Sequence, residues 1–309
     1  MERRIGAYAA LAGGFTLAGS SVVAGKLLAG LPVFFAAAGG TAVALLALIP
    51  LALGEKKSER GALRRSLPLL AAQAFFGVAL FRVLMLAALS RSSAAEAGIA
   101  TSATPALTAL LSALFLGERL GRRMASGIAL AALGIGLLES RGLRSLDPGH
   151  LLGLILALGA AASESVFNVL SKRLDASIGP RKASAFVMAI AFVLLASLSF
   201  ATGEKIEWAG IGTERCLALA YQGLFASALA YMLWFTGIAR VSASTGGSFA
   251  IFMPLSSFAL SLLLLGERPR AAAFIGCGIA LLGMLLCAWP EPGTRPTRAS
   301  LPAGEEDAA

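Results

Sequence analysis

The sequence predicts an all-α integral membrane protein of ten transmembrane helices, arranged as two inverted five-helix repeats. Three observations carry that expectation. Of 309 residues, 57% are hydrophobic and 14% charged, against about 25% charged in a soluble domain. Charge-free stretches recur at 5–25, 27–54, 97–117, 183–203, 216–239, 241–266 and 271–290; several reach the roughly 20 residues that cross a hydrocarbon core, and no soluble core could bury so many in series. Finally, the chain repeats itself at an offset of 149 residues.

Taken in order, the expected spans are 5–26, 31–53, 68–90, 94–116, 124–140, 151–172, 184–203, 215–238, 242–265 and 271–289. The first follows "MERR" and has the look of a signal peptide, but the nine spans after it mark it as an uncleaved helix. Loops are short, so successive helices are antiparallel neighbours. The longest loop, "GEKKSERGALRRS" (54–66), carries five positive charges. With the N-terminus inside, inner segments hold 17 Lys and Arg and outer loops hold 8, an excess that favours both termini in the cytoplasm; the expected location is the plasma membrane. The tail, 291–309, is rich in Pro, Gly, Ala and charge and is expected to be disordered.

The repeat sets the domain boundaries at 1–141 and 142–290. "SAAEAGIATSATPALTALLSALFLGERL" (93–120) lines up with "SASTGGSFAIFMPLSSFALSLLLLGERP" (242–269). Pro105 falls on Pro254, Gln73 on Gln222, and Arg82 on Tyr231. Each half holds five spans, an odd number, so the second half must run through the membrane inverted. Inverted repeats are a recurring plan of secondary transporters, with the substrate site near midplane where the halves meet.

At these residues the sequence resembles the drug/metabolite transporter superfamily, EamA type. The resemblance rests on "GSSVVAGKLL" (19–28), "TPALTALLSALFLGERL" (104–120), the second copy ending in "LGERP", and "VLSKRL" (169–174). It implies a ten-helix bundle of two inverted repeats that exports small metabolites, amino acids or drugs without ATP hydrolysis. Three positions depart from the family pattern. Ala18 stands where a Trp is common, Glu164 occupies the related position in the sixth span, and "AAAGG" (36–40) replaces a stretch that often carries an Arg.

Three ionisable residues lie within spans: Arg82, Glu96 and Glu164. A charge at the centre of an isolated helix costs about 2.5–3.5 kcal/mol on insertion scales, so each needs a partner, a cavity or a proton. Glu164, Asn168 and Ser171 share one helix face, a polar stripe that should face a cavity. Glu164 is then a proton or cation site, or one half of a structural cluster. Arg82 either pairs with Glu96 near the outer face or binds a substrate carboxylate; with Glu164 it would suit a zwitterion. Gln73 and Gln222 are packing glue or cavity lining, and Tyr231 lines the same cavity as Arg82. Pro105 and Pro254 are expected kinks, flexing or static.

Other function classes fare worse. The net charge of +9 is spread over short loops without interleaved aromatics, which excludes nucleic acid as a partner. One histidine, His150, and three scattered cysteines (Cys216, Cys277, Cys287) supply neither a metal-ligand set nor a nucleophile–base pair, so no enzyme activity, metal or cofactor is expected. The expected partners are a small-molecule substrate and the lipid bilayer. Having both halves in one chain, the protein is expected to work as a monomer or weak dimer. The expected function is a secondary transporter exporting small metabolites, amino acids among them, by alternating access. The alternatives are a proton-coupled exporter of drugs or lipid-like amphiphiles, and a membrane-embedded sensor or scaffold without transport.

Overall fold

The computed structural model describes residues 2–55, 60–116, 122–138, 148–175, 177–206, 211–241, 246, 249–267 and 271–288. Among them the regular structure is helical, apart from one isolated bridge between Ala29 and Leu31. The tail, and Gly117, Glu118, Arg119 and Arg268 of the doubled block, lie outside the described residues.

Helix α1 spans Glu2–Leu27 and α2 spans Val33–Leu53. A long rod follows, built from α3 (Arg60–Ala74), a π-helical turn (Phe75–Leu80) and α4 (Phe81–Leu89). Next come α5 (Ala94–Ala100), a 3₁₀ turn (Thr101–Ala103), α6 (Thr104–Leu116) and α7 (Arg122–Leu138). In the second half, α8 spans Pro148–Ser171 and α9 spans Pro180–Ala201. Another interrupted rod contains α10 (Thr213–Gly223), a π turn (Leu224–Leu229) and α11 (Ala230–Ile238). The 3₁₀ turn Phe249–Ile251 leads into α12 (Phe252–Leu264), and α13 (Ala271–Ala288) is last. The two π turns stand 149 residues apart, as do α4 and α11.

Six described helices are long and apolar enough to cross a membrane: Ile5–Leu27, Val33–Leu53, Gly61–Leu89, Leu151–Ser171, Pro180–Ala201 and Thr213–Ile238. Shorter apolar helices accompany them, at Ala125–Gly134, Phe249–Leu264 and Phe274–Gly283. The protein is therefore all-helical and multi-pass. The expected fourth span is not one unbroken α-helix, because the 3₁₀ turn divides it. That turn also revises the expected proline kinks. Pro105 and Pro254 sit in the first turns of α6 and α12, just after the 3₁₀ segments. A missing N–H costs little there, so the change of helix type precedes each proline.

The helices pack in exchangeable pairs. α2 lies on α9 and α7 on α13; α1 packs against α11 and α12, while α8 packs against α4 and α6. Charged residues at helix ends tie these elements together. Glu204 accepts hydrogen bonds from the amides of Phe34 (2.9 Å) and Phe35 (2.8 Å) at the start of α2. Glu55, its counterpart at offset 149, accepts from the amide of Lys182 (2.9 Å) at the start of α9. Glu267 accepts from the amides of Ala94 and Ala95, both at 3.0 Å, at the start of α5. Lys26 donates to the carbonyls of Leu89 (2.9 Å), the last residue of α4, and Ser92 (2.6 Å) beyond it, and Lys172 donates to those of Ile238, the last residue of α11, and Val241 beyond it. Carboxylates thus meet free N–H groups at helix starts and ammonium groups meet free carbonyls at helix ends, the favourable sense of the helix dipole. Each of the three carboxylates follows a glycine. Gly203 and Gly266 have φ of 62° and 61°, a left-handed turn that ends the helix at low cost and sends the next residue sideways.

Candidate functional site

A cavity lies among α1, α4, α8, α10, α11, α12 and the two π turns. Its walls are mostly apolar, with Phe15, Phe81, Phe167, Tyr231 and Trp234 prominent among them. The Phe167 ring centroid lies 5.4 Å from that of Tyr231 and 6.0 Å from that of Trp234, and Phe15 meets Trp234 edge-on at 5.3 Å. Small residues (Gly14, Ala18, Gly77, Ala226 and Ala230) leave the space these rings enclose.

Polar groups enter this apolar room at few points. Glu164 and Asn168, one turn apart on α8, both line it, as the helical stripe requires. The Thr104 hydroxyl donates to Glu164 Oε2 at 3.2 Å, while the Thr104 carbonyl accepts from the Ser165 hydroxyl at 3.0 Å. Asn168 Oδ1 is buried and has no hydrogen-bond partner among the described residues. Ser171, at the far end of the stripe, accepts from the Trp234 indole N–H at 3.3 Å and so orients the aromatic wall.

Arg82 is buried at 6% exposure and also lines the cavity. Its Nη2 donates to the Ser227 hydroxyl, while Nη1 has no partner among the described residues. A Cβ at Gly40 would stand 2.6 Å from Nη1. That close approach is a physical reason for the glycine in "AAAGG": it leaves a slot in α2 for an arginine supplied by α4. Tyr231, from α11, donates to the carbonyl of Gly77, and the Ser163 hydroxyl donates to the carbonyl of Phe76 at 2.6 Å. Both carbonyls belong to the first π turn, where the wider helical bonding leaves backbone groups for side chains to satisfy.

Two expected site residues stand apart. Glu96 accepts from the Ser93 amide at 3.0 Å, while the Ser93 hydroxyl accepts from the Glu96 amide at 3.1 Å, a capping box at the start of α5. It is thus a cap on its own helix rather than the partner of Arg82, which turns to Ser227. Gln73 is fully buried, does not line the cavity, and donates to the carbonyl of Leu170 at 3.3 Å, the packing role. Its counterpart Gln222 does line the cavity, with Oε1 buried and unpartnered among the described residues.

Sequence reasoning missed Trp234 at the cavity, Ser227, Gly40 and Thr104 against its charged residues Arg82 and Glu164, and the capping residues Glu55, Glu204, Glu267, Lys26 and Lys172. A signal for two of these was present: "GEK" occurs at 54–56 and again at 203–205, at the repeat offset.

A multi-pass helical bundle around a cavity lined with both signs of charge has the make-up of a membrane transporter. The model of the EamA-like transporter family matches this chain twice, at residues 4–139 and 151–289, and the chain belongs to that family. It is 29% identical over 289 residues to the uncharacterized transporter YetK of Bacillus subtilis, covering 93% of this chain and 88% of that one. It is 25% identical over 225 residues to a probable terminal-alkyne amino-acid exporter of Streptantibioticus cattleyicolor, covering 72% and 73%. One solved crystal structure aligns over 92% of this chain and 96% of its own, with a TM-score of 0.68 and 24% identity, a likeness of fold.

Proposed function

We propose that the protein is a secondary transporter that exports small zwitterionic metabolites, amino acids among them, by alternating access between two inverted five-helix halves. The observation that carries this reading is the cavity. Glu164, Arg82, Asn168 and Gln222 all line an aromatic-walled room, and among the described residues Arg82 Nη1, Asn168 Oδ1 and Gln222 Oε1 are buried without a hydrogen-bond partner. Unpaired polar groups in an apolar setting are costly, and a ligand bearing an ammonium and a carboxylate would supply their partners. The resemblance to an amino-acid exporter agrees with it.

Two matches to one family model, π turns at one offset and contacts that exchange with the halves support the duplicated architecture of ten spans. Five spans per half then require the second to be inverted. On this reading the protein works as a monomer or weak dimer in the plasma membrane, with both termini cytoplasmic. The positive loop 54–66 supports that orientation.

The test is thermal unfolding of the purified protein in detergent with amino acids, organic cations and organic anions, since a ligand that binds the folded state raises the midpoint. Zwitterions should raise it, and Glu164→Gln and Arg82→Leu should each abolish the rise. A response to cations alone would favour the drug-exporter alternative. No response at all, with both variants merely less stable, would make the charges structural and end this reading.

A further inference from the structure

We infer that Ser227 and Gly40 are positioning residues that hold Arg82 apart from Glu164, so that the cavity keeps two separate charges open to a ligand instead of an internal ion pair. The inference rests on the zwitterion reading above and deepens it.

Ser227 lies in the second π turn, Leu224–Leu229. The Ser227 hydroxyl donates to the carbonyl of Gln222, five residues back, the spacing of a π turn rather than an α-helix. A serine hydroxyl has one proton and two lone pairs. With the proton committed to Gln222, the lone pairs are left for the Arg82 guanidinium, which donates to them through Nη2. Ser227 is wholly buried, so water does not compete for that bond. On the other side Gly40 leaves room for Nη1, since a Cβ there would crowd it at 2.6 Å. The guanidinium is therefore held between a polar anchor on the π turn and a gap in α2, with Nη1 buried and without a partner among the described residues.

Glu164 lines the same cavity, and the hydrogen bond it accepts there comes from Thr104. Opposite charges in a low-dielectric space attract strongly, and an arginine side chain is long and flexible. Without its anchor, or pushed out of its slot, Arg82 would close on Glu164 and occupy both ends of the zwitterion site. The partner bond is reciprocal across the halves. Arg82 reaches the second π turn at Ser227, and its counterpart Tyr231 reaches the first at Gly77, so each π turn receives a side chain from just beyond the other.

The experiment uses full-length protein in detergent and the twenty standard amino acids. For the amino acid giving the largest thermal shift, dissociation constants are measured for it and for its carboxamide, which lacks the carboxylate. The wild type should favour the acid by about tenfold or more, the worth of one charge-assisted hydrogen bond. Ser227→Ala should weaken acid binding and bring the ratio to about one. Ser227→Thr, which keeps a hydroxyl, should restore the preference. Gly40→Ala should lose it by displacing Nη1, and carries the test if Ser227→Ala does not fold. A folded Ser227→Ala or Gly40→Ala that keeps the wild-type ratio overturns the positioning role alone. A wild type that does not distinguish acid from amide overturns the zwitterion reading, and this inference with it.

Discussion

Two glutamates in apolar helices, Glu96 and Glu164, show how one residue type takes opposite roles. Glu96 closes a capping box with Ser93, so its carboxylate is spent on the Ser93 backbone N–H. Glu164 meets the Thr104 hydroxyl and a cavity. Glu96→Ala should therefore lower stability by about 0.3–1 kcal/mol, the usual worth of a carboxylate in the first turn of a helix, and leave ligand affinity unchanged. Glu164→Gln should do the reverse, because the amide oxygen can still accept from Thr104 while the charge is gone. Unfolding curves and binding isotherms on the same two variants check this; a loss of affinity in Glu96→Ala would return Glu96 to the site. The stripe of Glu164 and Asn168 was legible because helical spacing fixes which residues share a face. The partner of Arg82 was not, because sequence fixes depth along a helix but not direction around it. Glu96 was readable after all: Ser93 stands three residues before it, the spacing of a capping box.

Among the elements, the π turns could not be seen in the sequence, since "AAQAFFGVALF" and "AYQGLFASALA" read as unbroken apolar helix. Their shared register, however, follows the repeat that the two glutamines revealed. The first turn has two carbonyls satisfied from outside, Phe76 by Ser163 and Gly77 by Tyr231. A buried acceptor stripped of its donor costs about 1–3 kcal/mol. Ser163→Ala and Tyr231→Phe should each destabilise by that order. Because the two acceptors are adjacent in one turn, the double variant should depart from additivity by about 0.5 kcal/mol or more. Additive losses would show that the two carbonyls are held independently. The prolines illustrate the limit from the other side. Their positions were plain, but whether a proline bends a helix depends on its neighbours, and here a 3₁₀ turn precedes each.

In the whole molecule, the pairing of α2 with α9 bears on how the halves can move. Glu204 caps α2 while Glu55 caps α9, each carboxylate extending from the end of one helix of the pair to the start of the other. The two caps lie at opposite ends of the antiparallel pair, and both are formed in the same conformation. Under the alternating access proposed above, one face opens while the other is shut, so an element that separates during the cycle should be fastened at one end only. A pair fastened at both ends moves as a unit, or serves as the axis about which the rest moves. The caps should act independently: Glu55→Gln and Glu204→Gln should each cost about 0.5–2 kcal/mol and add within about 0.5 kcal/mol. The stronger test is covalent. A flexible thiol crosslinker joining Glu55→Cys to Lys182→Cys should leave intact the uptake into proteoliposomes of whichever ligand raises the unfolding midpoint, because it replaces one fastening with another. If crosslinking stops uptake and cleavage of the linker restores it, α2 and α9 part during the cycle, and the caps are gates that open in turn rather than fixed joints.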